Sequence, residues 1–341
     1  MKPVAQPCLP PAAYTDLQIL EQEKGRLLRA HWQWAGLWED VGKPGGLKAD
    51  IAEVPIAIEQ NPDESMRVNL VVGTTRAPLP GAEADRCGRF VFVRLNPATP
   101  QSLHAFLGDF APVLEHASEG FDEVFLAQTE EWACNWKSGL EITLEGYHVA
   151  TVHGQSYNVK KKPSNFGSAV PVGKPPRFNG PHSTHTGMMS PQMRTEMANI
   201  AHRLKISPSA IYTNYNHYTL FPNMTIGFSG GCLAFMQIYS PIGVGRMQLR
   251  YVYLLAKPID PAKKPVPIIK STLLKSWIDY THLILGEDQI ACEDFQRGVV
   301  HATRQGWVGA KAEKRLAHFH KHWRKNMPKN KDEARRRKTA G

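Results

Sequence analysis

Apolar and polar positions along this chain follow two periods, and the changes between them divide it into elements. In "YTDLQILEQEKGRLLRAHWQWAGLWED" apolar residues recur at helical spacing from Leu17 onward, behind Asp16 as a natural N-cap, and predict a leading helix. The runs "ADIAEVPIAIEQ", "SMRVNLVVG" and "GRFVFVRLNP" are short and rich in β-branched or aromatic residues, with "NPDE" as a turn. They predict a small β unit from about Val41 to Asn96. A helix follows in "TPQSLHAFLGDFAPVLEHA", where Ser102 can cap, and another in "TEEWACNWKSGLEITLEGYHVATVH". The Gly/Pro/Ser-rich stretch "GQSYNVKKKPSNFGSAVPVGKPPRFNGPHSTHTG" reads as a loop covering a pocket. Three strand-like runs come next, "HYTLFPNMTIGFSG", "CLAFMQIYSPI" and "RMQLRYVYLLAK", and then a long helix in "PIIKSTLLKSWIDYTHLILGEDQIACEDFQRG". No fixed-period repeat is present. The simplest packing is an α+β fold, a twisted antiparallel sheet gripping the long helix.

Composition narrows the class. The 341 residues suffice for about two domains. With 42% hydrophobic and 21% charged residues, and no apolar run near the roughly 20 needed to cross a bilayer, a soluble protein is expected. "MKPVAQPCLPPAAYTD" lacks a charged n-region and an apolar h-region, so the expected location is cytoplasmic. The net charge of +10 suggests nucleic acid until it is located. Twelve Lys and Arg against three acids fall between Lys311 and Lys338, leaving 29 basic and 28 acidic residues elsewhere. The body is nearly neutral. Within the basic end, Leu316, Phe319 and Trp323 keep helical spacing, while "PKNKDEARRRKTAG" reads as a disordered tail, solvated ahead of any role on acidic surfaces or nucleic acid. Cys8, Cys87, Cys134, Cys232 and Cys292 are scattered; none forms a CxxC, and none has a His two or three residues on. That argues against a disulfide framework, a zinc finger, or an iron–sulfur cluster built on this chain alone.

The candidate chemistry lies in "NWKSGLEITLEGYHVATVHG", Asn135 to Gly154. Glu145 and His148, three apart, share a helix face. His148 and His153, five apart, sit about 140° around an unbroken helix, so both can face one ion only if the helix loosens or stops. Thr151, Val152 and Gly154 supply the means. By spacing alone the pair reads more simply as ordinary surface or core histidines than as a metal site.

The stretch resembles the iron-binding helix of the catalytic subunits of Rieske-type ring-hydroxylating oxygenases, whose pattern runs roughly N-W-K-x3-E-N-x-L-E/D-x-Y-H-x4-H. Asn135, Trp136, Lys137, Glu141, Glu145, Tyr147, His148 and His153 match in register. "GRFVFVRLNP", "YTLFPNMTI" and "EDQIACEDFQRG" resemble further family segments in the same order. The resemblance implies a helix-grip catalytic domain and one Fe(II) per chain on His148, His153 and Asp288, a two-histidine, one-carboxylate face with room for O2 and substrate. Glu287, Glu293 and Asp294 are nearby alternatives that read more simply as solvated helix charges. Glu145 matches the family's bridging carboxylate, which passes electrons toward the iron-bound His148 from a neighbouring subunit. Asn135 and Tyr147 fall at positions near the iron, with packing an equal reading for Tyr147.

Members of this family also carry C-x-H and C-x2-H pairs that hold a [2Fe–2S] cluster. Here "NLVVGTTRAPL" has Val, Gly and Thr where Cys and His are expected, and only "PGAEADRC" stands in place of the second pair. The expected organisation is a leading segment at 1–40, a degenerate Rieske-like β domain without a cluster at 41–96, a catalytic domain at 97–325 and a basic tail at 326–341. The expected function is an Fe(II) oxygenase component that hydroxylates or demethylates an aromatic or alicyclic hydrophobic small molecule. Monooxygenation is favoured because "LEGYH" resembles the branch without a small β subunit. Electrons would come from a Rieske-bearing homologous subunit or reductase, within a trimeric or hexameric hetero-oligomer. Other readings are a catalytically silent subunit and a hydrophobic-ligand carrier. Pocket residues are expected from the loop between Ser164 and Gly187 and the strands between His217 and Leu254.

Overall fold

The computed structural model describes residues 6–97, 100–156, 174–309 and 311–328. The calls on residues 157–173, half of the pocket-covering loop, and on residues 329–341 of the tail fall outside the described residues.

Asp16 caps the leading helix Leu17–Glu23 as its position suggests, its carboxylate accepting from the Gln18 and Ile19 N–H groups. A π-helical turn, Lys24–Leu28, continues the helix and buries Leu27 and Leu28. Helical spacing then gives way to a wholly buried strand, Gln33–Leu37, paired with Phe90–Arg94. The β unit therefore begins before Val41. Apolar and aromatic side chains on both faces of this strand gain more from burial between layers than from continuing the helix.

The β unit is two small sheets. Gln33–Leu37, Phe90–Arg94 and Glu83–Cys87 form one; Leu47–Asp50, Pro55–Gln60, Met66–Val72 and Thr75–Pro78 form the other. Ala35, Ile56, Ile58, Val68, Val91 and Val93 fill the space between them. "NLVVGTTRAPL" is a tight hairpin in which Val72 opposes Thr75 and Gly73 takes φ +60°. "PGAEADRC" supplies a regular strand that turns through Gly88 into Phe90–Arg94. At Gly88, φ is +58° and an added Cβ would lie 2.0 Å from Ser118 Oγ, so only glycine fits.

The rest is built on a seven-stranded antiparallel sheet. Its order is Lys174–Asn179, His182–Gly187, Tyr215–Leu220, Met224–Ser229, Leu233–Gly243, Arg246–Ala256 and finally Phe121–Trp132. Three expectations change here. "TEEW" belongs to the strand Phe121–Trp132 rather than to a helix. Part of the presumed loop is the hairpin Lys174–Asn179 and His182–Gly187. "HYTLFPNMTIGFSG" is two strands rather than one. A helix absent from the sequence reading, Pro191–Leu204, starts with Ser190 accepting from Met193 N–H and with proline at its first position.

One face of the sheet, with Tyr218, Ile226, Phe228, Met236 and Leu254, packs on the helices Ala111–Gly120 and Pro191–Leu204. The other, with Tyr239, Leu249 and Tyr251, packs on the long helix Pro267–Val299 through Leu285 and Cys292 and on Trp136 and Leu140. Because side chains alternate with period two, cross-strand register draws rows on this second face. Ser183, Thr219, Thr225, Gln237, Tyr251 and Gln128 form one polar row across six strands. His185, His217, Gly227, Phe235, Tyr253 and Leu126 form the next, mostly aromatic. The C-terminal helix Lys314–Asn326 buries Arg315, Phe319, His320 and Trp323, so part of the basic end is core rather than tail. Among the described residues no helix is long and apolar enough to cross a membrane.

Candidate metal centre

Asn135 starts the helix that leads to the site. Its Oδ1 accepts from Lys137 N–H at 3.1 Å, its Nδ2 donates to Val244 O at 2.7 Å, and its own N–H donates to Gln296 Oε1 at 2.9 Å. Gln296 lies eight residues beyond Asp288 on the long helix, about 12 Å along its axis. The hydrogen bonds of Asn135 therefore fasten the helix start and reach none of the proposed ligands.

The helix Trp136–Ile142 stops at Thr143, and a single turn, Val149–Val152, begins only after His148. The break falls before His148, earlier than the spacing suggests. Glu145 and His148 thus meet through a capped turn rather than along a helix face. One carboxylate oxygen of Glu145 accepts from the N–H groups of Tyr147 at 2.7 Å and His148 at 3.1 Å; the other accepts from His148 Nδ1 at 2.5 Å. The short turn ends at His153, whose ψ of +52° leaves the helical region and swings its ring back toward His148. The ring centroids are 5.2 Å apart.

Each imidazole is held at Nδ1 by a carboxylate and directs Nε2 inward. His148 is held by Glu145; His153, 2% exposed, donates Nδ1–H to Glu287 Oε2 at 3.0 Å. The two Nε2 atoms lie 3.8 and 3.3 Å from Asp288 Oδ1. One donor atom from each of His148, His153 and Asp288 falls within 4.8 Å of the others. Asp288 Oδ1 is buried and accepts no hydrogen bond from the described residues. Burial pushes this carboxyl up to about 6, against the attraction of the two histidines and with added repulsion from Glu287 and Glu145. A buried, unsatisfied carboxylate oxygen facing two oriented imidazole nitrogens fits a divalent cation, and these three residues could hold a metal ion.

Glu287 is not a solvated helix charge. It also accepts from Gln155 N–H at 2.8 Å and from the Ser156 hydroxyl at 2.5 Å, tying the chain after His153 to the long helix. Partial burial raises its carboxyl, but the bonds from Ser156, Gln155 and His153 together hold it below its ordinary value. Glu293 accepts from Ala133 N–H and Asp294 pairs with Arg297, so neither faces the cluster. Tyr147, 51% exposed, donates its hydroxyl to Glu313 at 3.3 Å and so turns away from the three candidate ligands. Partial burial and the carboxylates of Glu145 and Glu313 push its phenol up to about 12.

Sequence reasoning missed what the rest of the motif does. Lys137 and Glu23, both 0% exposed, form an ion pair at 2.7 Å. Glu23 also accepts from the indoles of Trp136 at 2.9 Å and Trp323 at 2.6 Å. Glu141 accepts from the Tyr14 hydroxyl and from His320. Trp136, Lys137 and Glu141 thus bind the site helix to the leading and C-terminal helices. Polar residues inside an otherwise apolar helical pattern were the available signal.

Residues 111–329 match the family described as ring hydroxylating alpha subunit (catalytic domain). No curated protein matches the sequence significantly. Several solved structures share the fold. The quaternary ammonium Rieske monooxygenase CntA in complex with L-carnitine superposes with a TM-score of 0.68 at 14% identity, over 96% of this chain and 97% of that one. The structure of a quaternary ammonium Rieske monooxygenase, described as giving insights into carnitine oxidation by gut microbiota and inter-subunit electron transfer, gives a TM-score of 0.70 at 14% identity and 96% coverage of each chain. Naphthalene 1,2-dioxygenase from Rhodococcus sp. bound to indole gives 0.67 at 15% identity, over 94% of this chain and 95% of that one.

Proposed function

The chain belongs to the ring-hydroxylating alpha-subunit family of oxidoreductases, and on that premise we propose that it is an Fe(II) oxygenase component whose electrons come from another polypeptide. The observation that carries this reading is the buried, unsatisfied Asp288 Oδ1 facing the Nε2 atoms of His148 and His153. Held by these three ligands, Fe(II) would supply the activation of O2 for insertion into a substrate C–H bond, hydroxylating or demethylating a small molecule. The protein's part is to fix both imidazoles through Glu145 and Glu287 and to keep Asp288 out of water.

Glu145 is the proposed electron bridge. Its side chain is 7% exposed and touches the ring of His148, so one hydrogen bond separates it from a ligand. The donor is proposed to be a Rieske-bearing homologous subunit or reductase, because residues 33–97 contain no histidine and only one cysteine. That cysteine, Cys87, is buried against Ala111 O, with burial pushing its thiol up to about 12. We read residues 33–97 as a Rieske-like unit without cluster ligands, placed in a hetero-oligomer. The same fold holds L-carnitine in CntA and indole in naphthalene 1,2-dioxygenase, so side chains rather than architecture set the substrate. The missing cluster ligands also favour a second reading, a silent subunit that shapes a heteromer.

Oxygen uptake separates the two. Fe(II)-loaded chain is combined with a Rieske-bearing reductase and screened against aromatic and alicyclic compounds. The oxygenase reading predicts substrate-dependent uptake that requires both proteins and disappears in Asp288→Ala. Uptake that Asp288→Ala leaves unchanged would contradict it.

A further inference from the structure

Arg315 is buried at 5% exposure on the first turn of the C-terminal helix, and its partners are all neutral. Its Nε donates to Ser183 Oγ at 3.2 Å, Nη1 to Thr143 O at 3.3 Å, and Nη2 to Thr219 Oγ1 at 2.6 Å and His217 Nδ1 at 2.9 Å. No carboxylate among the described residues forms an ion pair with it. The other buried cations near the site are compensated: Lys137 has Glu23, and Lys24 has Glu21 and Glu53. A buried charge without a counter-charge is costly, and a site that keeps one gains when an anion arrives.

A second group points the same way. A guanidinium can only donate, so His217 Nδ1 accepts from it and the proton of this neutral ring sits on Nε2. Burial, and then Arg315, pull the ring's titration well below its ordinary value, which keeps it neutral. His217 is 3% exposed, and its Nε2–H has no protein acceptor among the described residues. Arg315 has one Nη1–H left over after Thr143 O. His217, on the sheet face under the long helix, and Arg315, reaching that face from the C-terminal helix, place both donors beside Thr143, which lies two residues before Glu145. Next to them the aromatic row continues. Phe235 stacks on Tyr253 at 5.3 Å and on Tyr215 at 6.3 Å. Gly227 permits this, since a Cβ there would meet the Phe235 ring at 2.0 Å.

We propose that the substrate is an amphipathic carboxylate: its anionic end takes the spare donors of Arg315 and His217, and its apolar body lies along Tyr215, Phe235 and Tyr253. Arg315 and His217 are then specificity residues, and the substrate brings the counter-charge that the fold omits. The inference rests on the proposed oxygenase reading for what happens to the bound molecule, but anion preference is read from binding alone, in metal-free as well as Fe(II)-loaded protein. Its failure would therefore leave the metal reading standing.

The test compares 3-phenylpropanoate with its isosteric amide, 3-phenylpropanamide, by isothermal calorimetry on the full chain. The carboxylate is expected to bind at least about tenfold more tightly, as one charge-assisted pair suffices to give. Arg315→Gln should remove most of that preference, and Arg315→Lys should keep part of it. His217→Leu, which leaves the guanidinium in place, should weaken the carboxylate about threefold or more and the amide less; it serves where Arg315→Gln does not fold. Equal affinity for acid and amide, no binding of either, or a preference left undiminished in whichever of Arg315→Gln and His217→Leu fold, would overturn the proposal.

Discussion

Glu145 accepts a hydrogen bond from Nδ1 of His148 at 2.5 Å, and this contact decides which nitrogen of the ring faces Asp288. Glu287 does the same for His153. The cluster is thus oriented by two carboxylates that are not themselves among its three proposed ligands, a device that fixes both tautomers before any metal arrives.

The two carboxylates are expected to separate by experiment. Glu145→Gln keeps a hydrogen-bonding side chain of the same size but removes the charge. Iron content should stay within about twofold of wild type, while turnover with the electron-donating partner should fall about 10- to 100-fold. Unchanged turnover at unchanged iron content would remove the bridge from the account.

Glu287→Ala should act on affinity instead. It frees the His153 ring and releases Gln155 and Ser156 from the long helix. Metal affinity, measured by competition with a chelator, is expected to fall about 10- to 100-fold with the fold retained.

The buried Glu23–Lys137 pair carries a stability prediction. Lys137→Met leaves Glu23 charged and enclosed with two indoles as its remaining partners among the described residues, at a cost of about 3–5 kcal/mol in chemical denaturation. Adding Glu23→Gln should recover much of this, because the uncompensated charge, rather than lost packing, is the source.

Much of this was legible in the sequence, for identifiable reasons. The long helix, the Asp16 and Ser102 caps and the C-terminal amphipathic helix have strong local signals, and the structure contains all four. Glu145, His148, His153 and Asp288 come together as the resemblance implies. The break between Thr143 and His148 was not readable, because it depends on Glu145 folding back on its own backbone. The strand at Gln33–Leu37 was hidden by helix-compatible spacing, and its assignment depends on pairing with Phe90–Arg94, more than fifty residues on. Glu287 looked like a solvated charge because its partners, His153 and Ser156, lie more than 130 residues earlier.

Acid stability should report the buried His182. Its Nε2 donates to Phe106 O at 2.8 Å, and its Nδ1 accepts from Phe221 N–H at 3.0 Å. Burial pulls its titration down to about 4. As pH falls below about 6.5 the unfolded chain takes up a proton that the folded ring refuses, so this contribution is intact above 6.5 and is lost progressively toward 4. The loss is on the order of 3 kcal/mol, and His182→Gln should flatten the slope of stability against pH in that window.

Iron and acid-labile sulfide, measured together on purified full-length chain reconstituted anaerobically with Fe(II), test the central claim most directly. The account predicts about one iron per chain, no sulfide, and loss of that iron in Asp288→Ala and in His153→Ala. Retention of iron by both variants, or stoichiometric sulfide in the wild type, would contradict it.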